Sequence, residues 1–109
     1  MKTSELTGAA LDWAVATANG DAFILAYEDW VWYSSDWSVG GPIIERERIE
    51  IVFNGEGWDA YDHLRHIPEE GSTPLIAAMR CYVAATLGAD VEVPAELLGK
   101  KKKHANEGS

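Results

Sequence analysis

Apolar residues recur at helical spacing in two stretches of the chain. In the first, Leu11, Ala14, Val15 and Ala18 share one face. Thr7 stands where an N-cap belongs, Leu6 and Leu11 have the spacing of a hydrophobic staple, and Asn19-Gly20 supplies a stop. Together these signals predict a helix over residues 8–18. In the second stretch Ile76, Met79, Val83 and Leu87 form the stripe, Thr73-Pro74 caps and starts it, and Gly88 ends it. The prediction is a helix over about residues 74–87.

Between the two, short aromatic and β-branched runs are broken by turn formers. Residues 23–27 and 30–33 read as strands of a hairpin or meander, with Glu28-Asp29 at the bend. Residues 34–41 read as a loop that carries Ser34-Ser35-Asp36-Trp37 and ends in Gly40-Gly41, and Pro42 suits the first position of a short helical turn running to Glu47. Residues 48–53 alternate, with Ile49, Ile51 and Phe53 on one face and Glu50 on the other, which predicts a strand. A turn follows over 54–57. Residues 58–66 fit a helix through Trp58, Tyr61 and Leu64, and a short strand over 58–61 fits nearly as well, so both readings stay open. Residues 68–72 read as a loop, and 91–93 as a short edge strand before Pro94. Two helices on one face of a small, mainly antiparallel sheet make an α+β domain.

A chain of 109 residues accommodates one hydrophobic core, so a single domain is expected over residues 1–98, followed by a flexible basic and polar tail over 99–109. With 47% hydrophobic and 25% charged residues the composition argues against disorder over most of the length. The lone Cys81 has no internal partner for a disulfide. The opening MKTSELTGAALDW lacks the basic start and apolar run of a secretory signal. No apolar stretch approaches the ~20 residues that span a bilayer. The cytoplasm of the producing cell is the expected location.

Charge is placed unevenly. The formal net charge is −9, yet Lys100 to Lys103 supply four of the nine basic residues, leaving five basic against seventeen acidic residues over 1–99, a net of −12. Such a body repels phosphate backbones and attracts basic protein surfaces, so nucleic acid is an unexpected partner for it. A small anion needs a local basic pocket.

Three blocks, MKTSELTGAALDWAVA, DWSVGGPIIERE and TPLIAAMRCYVA, resemble the NinX family of small proteins encoded by lambdoid phages and related prophages. They are spread over nearly the whole predicted domain. The resemblance implies a phage or prophage accessory protein made inside the bacterial host, and it carries over no catalytic residue. The stretch 54–71 lies between the second and third blocks and matches the family least.

Three groups of residues are candidates for chemistry. In the first, Ser72 and Thr73 open a helix whose free N–H groups favour an anion, Arg80 lies about two turns further on, and Arg46 and Arg48 are placed to converge from the central block. Trp30, Trp32, Trp37 and Trp58 offer faces for a stacked base, although tryptophans in so small a domain mostly build the core. The second group is the loop with Asp36, Gly40 and Gly41, where glycines permit close approach of a ligand; it has neither the lysine nor the spacing of a phosphate-binding loop. In the third, Asp59 and His63, and Asp62 and His66, stand one turn apart if the segment is helical, but a solvated charged face explains them better, and no metal is expected. Cys81 beside an apolar stripe reads as a packing residue. No catalytic motif stands out and no cofactor is implied.

Two functions follow. The first is a non-enzymatic binder that sequesters a small anionic, nucleotide-type ligand in counter-defence, using Trp30, Trp32, Asp36, Trp37, Gly40, Gly41, Arg46, Arg48, Thr73 and Arg80. The second is an acidic protein-interaction module or nucleic-acid mimic that inhibits a host or phage protein. Edge strands with few neighbours point to a homodimer.

Overall fold

The computed structural model describes residues 1–21 and 30–98. The predicted strand 23–27 with its bend, and the tail 99–109, lie outside them. In chain order the elements are a short 3₁₀ turn Thr3–Glu5, helices α1 (Gly8–Ala18) and α2 (Trp37–Glu47), strands β1 (Glu50–Phe53), β2 (Trp58–Tyr61) and β3 (Glu69–Gly71), helix α3 (Pro74–Leu87) and the short α4 (Ala95–Leu98). The architecture is the expected α+β, with a three-stranded antiparallel sheet in the order β1-β2-β3.

α3 is the centre of the fold. Leu75, Ala77, Ala78, Met79, Cys81, Tyr82 and Val83 are buried on it, so the helix is apolar nearly all round, as a helix enclosed by other elements must be. The sheet packs on one side of it and α1 and α2 on others. Thr73 caps its start by accepting a hydrogen bond from the Ile76 N–H at 3.1 Å. α1 contributes Leu11, Ala14 and Val15, which are fully buried together with Leu6 of the staple. Thr7 occupies the N-cap position of α1 without a side-chain cap bond. At the far end of α3, the Thr3 hydroxyl donates to the Gly88 carbonyl at 2.7 Å and ties the N-terminal segment down.

The largest departure from the sequence expectation is α2. The expected loop over 34–41 ends at Asp36, whose carboxylate caps a full helix by accepting from the Ser38 N–H at 2.9 Å and the Ser38 hydroxyl at 2.7 Å. Gly40, Gly41 and Pro42 therefore stand inside a helix. Packing explains the override: a Cβ at Gly40 would meet Leu75 Cδ1 and the Tyr33 carbonyl oxygen, each at 2.6 Å, so only glycine lets α2 approach α3 this closely. Arg48 ends the helix in the left-handed region at φ 57°, and the Ile49 N–H reaches back to the Ile44 carbonyl at 3.0 Å.

Other expectations are corrected on the same physical grounds. Residues 30–33 form no strand; the Ser35 and Asp36 N–H groups both bond the Trp32 carbonyl and close a turn. That turn is held from α1, where buried Asp12 accepts from the Ser34 N–H at 2.8 Å and from its hydroxyl at 2.7 Å. The strand expected over 48–53 begins at Glu50, because Arg48 is the helix cap. The open segment 58–66 resolves as strand β2 followed by a turn in which Asp62 Oδ1 accepts from the N–H groups of Leu64 and His66. Part of the loop expected over 68–72 is strand β3. Val91 exchanges backbone hydrogen bonds with Met1, beside an isolated bridge between Lys2 and Asp90, and residues 91–93 form no strand.

Candidate functional site

The residues expected to form an anion pocket are distributed rather than gathered. Trp30 and Trp32 lie with ring centroids 5.9 Å apart in the turn before α2, and Trp32 and Trp37 are 42% and 53% exposed. Asp36 is occupied as a helix cap and Gly40 as a packing contact, while Gly41 lies against the Trp37 ring. Arg46, at the other end of α2, donates from Nη2 to Asn19 Oδ1 and the Tyr82 hydroxyl, both at 3.0 Å, and from Nε to Glu47 at 2.7 Å. Its guanidinium also lies 5.5 Å from the centre of the Tyr82 ring. Glu47, the nearest carboxylate, reinforces the positive charge of Arg46.

Arg80 is on the other side of α3. Two residues along a helix correspond to a rotation of about 200°, so Tyr82, which Arg46 touches, and Arg80 project in opposite directions. Arg80 donates from Nε to the Leu6 carbonyl at 2.8 Å and from Nη1 to the Glu70 carbonyl at 2.7 Å, bracing the N-terminal segment against β3. Burial depresses its pKa, and the field of Glu69 opposes that shift. Arg46 and Arg80 thus serve two separate tertiary joints, and the expected convergence of the arginines is not realised.

Beside Arg80 and the start of α3 lies an open cleft of about 460 Å³. Glu56, Asp59 and Glu70 line it together with Asn54, Ser72 and Arg80. Three carboxylates against one arginine, two of whose N–H groups already bond the Leu6 and Glu70 carbonyls, make it a poor receptor for an anion.

Asp59 stands on a strand, so it and His63 are not one helical turn apart. Asp62 pairs with His66 Nδ1 at 2.7 Å, and that hydrogen bond holds the Asp62 carboxyl below its ordinary range. Among the described residues no group of three metal-ligating side chains is placed to hold an ion. Cys81 is buried beside this turn, and burial pushes its thiol up to about 12.

The feature that sequence reasoning missed is the outward face of the sheet. Ala60 is fully buried, and a Cβ at Gly71 would meet the Ala77 backbone of α3 at 2.4 Å, which identifies the face carrying Ile51, Ala60 and Gly71 as the one turned to the helix. Cross-strand pairing puts Glu50 opposite Tyr61, Val52 opposite Asp59, and Asp59 opposite Glu70. Strand alternation then places these five side chains together on the other face. Val52 is 42% exposed, and Glu50 and Glu70 are exposed. The Arg65 guanidinium lies 4.3 Å from the centre of the Tyr61 ring and pairs with Glu50. At the β1 end, Asn54 donates to Asp59 Oδ1 at 2.8 Å and accepts from the Glu56 and Gly57 N–H groups, fixing the hairpin turn. No local signal reveals this face, because it depends on the register between strands and on β2 being a strand.

Among the described residues no helix is long and apolar enough to cross a membrane. The profile of the family described as Bacteriophage P22, NinX, matches residues 2–86. No curated protein matches the chain.

Proposed function

The chain belongs to the NinX family of bacteriophage P22, and from that premise we propose that it is a non-enzymatic accessory protein whose acidic sheet face docks on a basic surface of a host or phage protein. Its setting on this reading is the cytoplasm of the bacterial host. The observation that carries the proposal is the co-facial arrangement of Glu50, Asp59 and Glu70 around Tyr61 and Val52 on the side of the sheet turned away from α3. Carboxylates spread over an open face, with an aromatic ring and an aliphatic side chain between them, suit the cationic heads and apolar stems of lysine and arginine. The net charge of −12 over residues 1–99 adds a long-range field that speeds encounter with such a partner. A protein of this kind occupies a nucleic-acid-binding groove as a charge mimic.

Sequestration of a small nucleotide-type anion for counter-defence draws less support from the geometry. The two arginines that reading needs most lie on opposite sides of α3, and the cleft beside Arg80 is lined mainly by carboxylates. The exposed Trp32 and Trp37 are the features that still speak for it.

The test is a titration with a lysine- and arginine-rich peptide at low ionic strength. Binding is expected to weaken steeply with added salt. It is also expected to fall about tenfold or more in the triple variant Glu50→Gln, Asp59→Asn, Glu70→Gln. A control that neutralises the exposed Glu5, Asp90 and Glu92 removes the same charge from residues outside the three strands. Equal losses in the two triple variants refute docking at this face.

A further inference from the structure

We propose that Arg65 is a built-in occupant of the docking face, holding the place that an arginine of the partner takes, so that the partner binds by displacing it. The inference rests on the acidic-face reading and specifies the partner: a segment that presents arginine in preference to lysine.

Arg65 follows β2 in the turn organised by Asp62, and its backbone sits in the left-handed region at φ 56°, where non-glycine residues are uncommon. From there its side chain returns over the sheet. The guanidinium covers the Tyr61 ring on β2 and pairs with Glu50 on β1, the residue directly opposite Tyr61 in the register. A planar cation is therefore already received by an aromatic face and a carboxylate on two adjacent strands. Guanidinium stacks on aromatic rings and meets carboxylates through a flat fork of N–H donors; an ammonium offers only a hydrated point charge.

The occupant is also displaceable. The side chains of Arg65 and Glu50 are 55% and 54% exposed, and an exposed ion pair of this kind is held weakly. Contrast Arg80, braced on two backbone carbonyls, and Arg46, which bonds Asn19 and Tyr82. Further along the same face, Asp59 and Glu70 extend the acidic surface past the pair that Arg65 covers. An incoming arginine-rich segment thus gains two carboxylates directly, and exchanges its own guanidinium for that of Arg65 over Tyr61.

The experiment measures fluorescence anisotropy of labelled hepta-arginine and hepta-lysine peptides against the full chain, at fixed low ionic strength. Arg65→Gln is compared with Lys2→Gln, which removes one positive charge from an exposed residue far along the chain, and melting curves confirm that both variants fold. Arg65→Gln is expected to tighten hepta-arginine binding about three- to tenfold, the combined worth of an exposed ion pair and a cation–π contact. Lys2→Gln is expected to change it by less than about twofold, the size of a general charge effect. Tyr61→Leu should reduce the preference for hepta-arginine over hepta-lysine. Equal effects of Arg65→Gln and Lys2→Gln overturn the inference while leaving the acidic-face reading in place. Absence of binding by either peptide to both the unaltered protein and Arg65→Gln overturns the two together.

Discussion

The carboxylate of Asp12 on α1 receives both the backbone N–H and the hydroxyl of Ser34, at 2.8 and 2.7 Å, in a buried position 22 residues away in sequence. The two bonds fix the turn that launches α2, and with it the approach of α2 to α3. Asp12→Ala leaves a buried N–H and hydroxyl without their acceptor and is expected to cost about 1–3 kcal/mol. Asp12→Asn keeps an acceptor oxygen and should cost less. Urea denaturation of the three proteins measures the order, and equal stability of Asp12→Ala and the unaltered protein would show that this bond does not hold the turn.

Adjacent glycines of α2 should respond in opposite ways. At Gly40 a Cβ collides with Leu75 and the Tyr33 carbonyl, and Gly40→Ala is expected to destabilise by about 1–3 kcal/mol. At Gly41 the nearest atom to a new Cβ is Trp37 Cε3 at 3.8 Å, an ordinary contact. Gly41→Ala should therefore be neutral or gain up to about 1 kcal/mol from helix propensity. Thermal melting of both variants distinguishes a packing constraint from a general need for flexibility in this segment.

This pair of glycines also marks where the sequence is hardest to read. α1 and α3 announce themselves through caps, periodic apolar positions and terminal glycines, all of which are local signals. α2 is concealed, since Gly40-Gly41-Pro42 argues for a loop until Leu75 supplies the tertiary reason for a glycine. β3 is concealed differently: Glu69-Glu70-Gly71 has no apolar alternation, and it becomes a strand through its backbone pairing with β2. The candidate face suffers from both effects. Its carboxylates are plain in the sequence, but the seventeen acidic residues over 1–99 conceal any one cluster, and only the register that sets Glu50 opposite Tyr61 and Asp59 opposite Glu70 gathers these.

Glu69 should give stability a distinct pH dependence. Burial raises its pKa above the ordinary 4.5, and Arg80 only partly offsets this. The native state therefore holds a proton that the unfolded chain has released, and stability falls as pH rises from the unfolded value through the folded one. In Glu69→Gln that contribution is absent. The difference in Tm between variant and unaltered protein should shift in favour of the variant between about pH 4 and pH 7. A constant difference across that range would contradict the assignment.

Cys81, with its thiol pushed up to about 12, remains protonated and buried at neutral pH. Alkylation by iodoacetamide at pH 8 is expected to be at least tenfold slower in the native protein than in urea, followed by mass spectrometry. Equally rapid modification in both states would mean that the α3 packing around Cys81 opens readily.

Amide chemical-shift mapping during titration with hepta-arginine at low ionic strength locates the docking surface directly. The responding residues are expected to centre on Glu50, Val52, Asp59, Tyr61, Arg65 and Glu70, and the response is expected to disappear in the triple variant that neutralises Glu50, Asp59 and Glu70. A response centred instead on Trp32, Trp37 and Arg46, or no response at all, would contradict docking at the sheet face.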